Sequence, residues 1–136
     1  MVLVGYFYDT GVGVRTNRTK ALQWYRRAHR AHDGGGAANN IGVILRQRGQ
    51  LESARRWFAR AMALGNDDAA LQYAEVLLLK RQVRRASKIL SGIIARNQAT
   101  EDTLSKSRWL MNSLGPSKAA LKSRRSRRAK RPSHAR

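Results

Sequence analysis

His29 and His32 stand three residues apart, one helical turn, with Asp33 beside them. Two imidazoles at that spacing can share a metal ion, with the carboxylate as a third ligand. The same pair near a helix end also complements the C-terminal dipole, and a solvated helix end is the reading taken here: no metal is expected. The eight carboxylates are scattered along the chain, and no two have the spacing of an acid and base pair on one pocket. No nucleophile stands beside a base. Gly11-Val12-Gly13 lacks the preceding strand and the following Lys-Ser/Thr of a phosphate loop. Gly34-Gly35-Gly36 reads as the breaker that ends a helix near His32. There are no cysteines, so thiolate zinc sites and disulfides are excluded. The residues describe a chain that is not an enzyme and carries no cofactor.

The remaining chemistry is electrostatic. The net charge is +20 over 136 residues. From residue 116 onward there are nine Lys and Arg and no acid, while the first 115 residues hold 19 basic residues against all eight acids. Arg124, Arg125, Arg127, Arg128, Lys130 and Arg131 put six positive charges into eight positions. Such a run attracts phosphate backbones with strong salt dependence, or an anionic lipid surface. With one leucine to bury, residues 115–136 are expected to be a disordered basic tail.

The elements that must carry any site come from a repeat. Ala38 to Ala61 reads as two short helices joined by a tight turn. Gly42, Gly49, Ala54 and Ala61 are small, with Ile41, Leu45, Leu51, Trp57 and Phe58 between them. Small residues let helix backbones approach, and large ones fill the space beside the contact. Copies flank this unit. Val4-Gly5, Ile41-Gly42 and Tyr73-Ala74 align, and the second helices start their small positions at Ala21, Ala54 and Ala86, 33 and 32 residues apart. A period of this size marks a helical repeat array, because one hairpin cannot bury its own apolar face.

Gly42, Leu45, Gly49, Ala54, Phe58 and Ala61 resemble the tetratricopeptide repeat signature at its usual spacing. The first copy has a longer turn, Gly11-Val12-Gly13-Val14, before Ala21-Leu22-Gln23-Trp24-Tyr25, and resembles the Sel-one-like repeat. The third copy departs, with Arg81 where the turn glycine belongs and Ile93 in place of the last alanine. The resemblance, over about residues 2–95, implies an all-α fold: a short right-handed α-solenoid of about three helix-turn-helix repeats with a C-terminal capping helix. Residues 1–114 form that domain in this reading.

Helices are expected over about 2–9, to His32, from Gly36 or Ala37, to Gly65, over 68–80 and 83–97, and over 101–114 as the cap. Asn17 or Thr19, and Asn66 or Asp67, are the expected N-caps. Trp24, Tyr25, Trp57 and Phe58 fall at matched repeat positions and read as core. The chain reads as beginning part-way through a repeat, leaving Leu3, Phe7 and their neighbours open to self-association. No leader pattern opens the sequence and no run of about 18 apolar residues occurs, so a soluble, cytoplasmic chain is expected.

In the family that the repeats resemble, the first helices line the concave surface. By register this places Tyr6, Asp9, Asn39, Val43, Arg46, Glu75 and Leu78 on the groove. That mixture suits a peptide and lacks the Lys and Asn clamp for a carboxylate terminus. The expected function is a non-catalytic interaction module that binds a peptide or protein segment on its concave face. The alternative is nucleic-acid or other polyanion binding through the tail and the basic repeat surface.

Overall fold

The computed structural model describes residues 1–32 and 34–115. They form seven helices: α1 (Val2–Thr10), α2 (Arg18–Arg30), α3 (Gly34–Gln47), α4 (Leu51–Ala63), α5 (Asp67–Leu79), α6 (Val83–Arg96) and α7 (Glu101–Ser113), with no strand among the described residues. Each helix packs on the next. The pairs α1/α2, α3/α4 and α5/α6 are hairpins, and α7 closes the row against α6 and α5. The first helices also approach one another: α3 touches α5, and α5 touches α7. No comparable contact joins α2 to α4 or α4 to α6 among the described residues. Helices α3, α5 and α7 therefore share one side of the α-solenoid.

One design repeats through the core. Ala21, Tyr25 and Ala28 in α2, Ala54, Phe58 and Ala61 in α4, and Ala86, Leu90 and Ile93 in α6 are all fully buried. Their spacing of four and then three keeps each triplet on one helix face. Facing them are the small residues Gly5, Gly42 and Ala74, also buried. In α7 the position corresponding to Ala74 is Arg108, which is exposed. Its guanidinium lies 3.6 Å from the Glu101 carboxylate of the same helix. Thr103, Leu104 and Ser107 are its buried residues; Ser107 donates to the Thr103 carbonyl and the Thr103 hydroxyl to Asp68.

The turns repeat as well. Gly49 and Arg81 sit at the ends of α3 and α5 with φ of +77° and +58°. The amides of Gln50 and Gln82 then reach back to the carbonyls of Leu45 and Leu77, each at 2.9 Å, the hydrogen bond of a Schellman turn. Between hairpins His32, Gly65 and Asn97 take the equivalent left-handed conformation. Asn17 and Asn66 cap α2 and α5 by accepting from the amides of Lys20 and Ala69. Thr100, not singled out by the sequence, caps α7.

The glycine run corrects an expectation. Only Gly34 has a positive φ; Gly35 and Gly36 lie inside α3, and α2 has already ended at Arg30. A Cβ on Gly35 would stand 2.7 Å from the Asn66 Cβ and 2.8 Å from the Ala61 carbonyl oxygen. Close approach of the α4–α5 corner fixes that glycine, while helix breaking does not.

Candidate functional site

The candidate surface is the side shared by α3, α5 and α7. Arg46 and Glu75, from successive first helices, form an ion pair at 2.8 Å. Val43 and Leu78 are half-buried and pack against the core from the groove side. Asn39 lines a cleft of about 260 Å³ together with Gln72, Asp68, Asp102 and Lys106. Register placed Asn39 on the groove, but the other four were missed; their signal was the polar stripe on that side of α5 and α7. Within the cleft Lys106 donates to Asp102 at 2.7 Å. That hydrogen bond, and then the Asp102 charge, raise the ammonium pKa, so Lys106 stays charged at neutral pH. The Asn39 Oδ1 and Gln72 Oε1 atoms are buried without a hydrogen-bond partner among the described residues.

Tyr6 and Asp9 belong to the first hairpin. Tyr6 is 47 % exposed, and its ring is tilted against Phe7 at 6.3 Å. Asp9 is half-buried and pairs with Arg18 at 3.7 Å. Neither contributes to the Asn39 cleft. Leu3 is 61 % exposed at the same end. His29 and His32 do not come together as ligands: His29 sets its ring against the edge of Trp57 at 5.1 Å, His32 is exposed, and Asp33 lies outside the described residues. Among those residues no three His, Cys, Asp or Glu side chains gather as metal ligands. Arg124, Arg125, Arg127, Arg128, Lys130 and Arg131 also lie outside the described residues.

The aromatic expectation divides. Tyr25 and Phe58 are fully buried, but Trp24 and Trp57 are only half-buried. Both indoles carry an arginine one turn on: Arg27 lies 5.2 Å from the Trp24 ring and Arg60 4.7 Å from the Trp57 ring. The indole is too large for the tight core face and lies at its edge, where its neighbours are cations.

Comparison with protein-family models places the first two hairpins. The Sel1 repeat model matches residues 1–32, and a Tetratricopeptide repeat model matches residues 36–65. These two matches support a tetratricopeptide and Sel1-like repeat character for the first two hairpins. In this repeat protein the third hairpin falls outside both matches, yet it buries the same positions and makes the same Schellman hydrogen bond. No curated protein and no solved structure matches the chain. Tetratricopeptide and Sel1-like repeats are generally protein–protein interaction modules and typically non-catalytic. No described helix is long and apolar enough to cross a membrane.

Proposed function

We propose that the protein is a non-catalytic adaptor whose concave face binds an extended peptide segment of a partner. The observation that carries this reading is the pair of amide oxygens, of Asn39 and Gln72, that line one cleft without a hydrogen-bond partner among the described residues. A buried polar atom left without a partner costs about 1–3 kcal/mol, so a ligand that satisfies both recovers that energy on binding. Peptide main chain alternates donor and acceptor, and so answers an amide whichever way it is turned. Asp68, Asp102 and Lys106 give the cleft rim both signs of charge, which suits a polar segment more than an apolar helix. Val43 and Leu78 provide apolar contacts farther along the same face.

Selection of peptides from a displayed random library against the full-length chain tests the reading. Calorimetry on the enriched sequences is expected to show roughly tenfold weaker binding to the Asn39→Ala/Gln72→Ala double variant, with helical circular dichroism unchanged. No enrichment, or equal affinity for the double variant, rejects it.

A further inference from the structure

The opposite end of the solenoid carries a second, chemically distinct site. In the second hairpin Trp57 has the His29 ring of the preceding hairpin against it and flanks the core. Trp24 is its equivalent 33 residues earlier. It faces a cleft of about 480 Å³ between α1 and α2. Tyr8 forms the other aromatic wall. Lys20 places its ammonium 5.4 Å from the Tyr8 ring, and Arg27 lies against Trp24. Arg26, Arg30 and Gln23 complete the lining, and no carboxylate contributes. All five of the polar and cationic residues are exposed.

From this arrangement we infer that the α1/α2 cleft binds single-stranded nucleic acid. Single strands are held by cations that follow the phosphates and by aromatic rings on which bases stack. Both parts are present within one cleft, whose volume falls in the ~300–1,000 Å³ range of ligand sites. Gln23 offers an amide donor and acceptor to a base edge. An acidic peptide would answer the four cations but leave the indole and the phenol ring unused, and a duplex keeps its bases stacked out of reach. Recognition is therefore of phosphate and base together, with little sequence preference and a marked dependence on salt. The peptide cleft on α3, α5 and α7 takes no part.

The test uses the full-length protein and an oligothymidylate of roughly 12 nucleotides. Titration is expected to quench tryptophan fluorescence, and the quench is expected to disappear in Trp24→Phe while Trp57 and Trp109 remain. Lys20→Ala/Arg30→Ala, which changes exposed side chains only, is expected to weaken binding roughly fivefold or more at constant circular dichroism. Heparin, a polyanion without bases, is expected to compete without quenching. The inference is overturned if the quench survives in Trp24→Phe, or if the double variant binds within twofold of the parent. It is likewise overturned if polyglutamate displaces the oligonucleotide as well as unlabelled oligothymidylate does, which would reassign the cleft to acidic peptides.

Discussion

A Cβ added to Gly42 would stand 2.5 Å from the Phe58 ring. Gly5 and Tyr25 repeat the relationship at 2.6 Å, and the third hairpin has Ala74 and Leu90 at the aligned positions, both fully buried. The pair is a unit: an aromatic ring requires glycine opposite, and a smaller aliphatic chain permits alanine. Gly42→Ala should therefore destabilise the fold although alanine is the better helix former. Overpacking costs about 1–3 kcal/mol and the propensity gain returns about 1 kcal/mol, leaving a net loss of up to about 2 kcal/mol. The double variant Gly42→Ala/Phe58→Leu recreates the pairing of the third hairpin. In a urea-denaturation cycle it should lose less than the sum of the two single changes.

Neighbouring glycines in α3 should respond with opposite signs. Gly35→Ala drives a methyl into the Ala61 carbonyl and the Asn66 Cβ, contacts that the α4–α5 corner cannot relieve without moving backbone. Gly36 is exposed, helical, and has nothing near the place of a Cβ. Its replacement by alanine should raise stability by about 0.5 kcal/mol, from reduced freedom of the unfolded chain. Thermal melts of the two variants check the contrast. Equal shifts would show that the run acts only as a flexible breaker.

The repeat was legible because its signal is periodic. Small residues at Gly5, Gly42 and Ala74 and the 33- and 32-residue spacing of Ala21, Ala54 and Ala86 specify which helices touch. Placement within the spacing was less legible. Trp24 and Tyr25 are adjacent and both aromatic, so pattern alone put both in the core; the structure buries the phenol and leaves the indole at the edge. Register likewise predicted Asn39, Arg46 and Glu75 on the inner face. It did not show that Arg46 and Glu75 pair with each other, nor that Gln72 joins Asn39. Those facts depend on how far one hairpin is rotated against the next, which no single repeat encodes.

Arg81 occupies the turn position that Gly49 occupies in the preceding hairpin, and its φ is +58°. A non-glycine residue there pays about 1–2 kcal/mol in steric crowding, while the Gln82 to Leu77 hydrogen bond matches its counterpart in length. Arg81→Gly should therefore stabilise the protein by roughly 1 kcal/mol, visible as a higher urea midpoint with an unchanged slope. The converse change, Gly49→Ala, should destabilise by a similar amount. A neutral Arg81→Gly would mean that the arginine side chain makes compensating contacts.

Tyr25 sets the alkaline limit of the first hairpin. Burial, reinforced by the nearby charge of Asp9, pushes its phenol up from 10.0 to about 12. In the unfolded chain the proton leaves near the ordinary value, whereas the folded chain keeps it until about pH 12. Between these values the folded state binds more protons than the unfolded one, so stability falls as pH rises. The contribution is complete below about pH 10 and is lost progressively above it, at up to about 1.4 kcal/mol per pH unit and roughly 3 kcal/mol in all. Tyr25→Phe removes the titrating group while retaining the ring over Gly5. Urea midpoints measured at about pH 9 and about pH 11.5 should drop more steeply for the parent than for Tyr25→Phe. Parallel pH dependences would show that the phenol ionises without opening the α1/α2 contact.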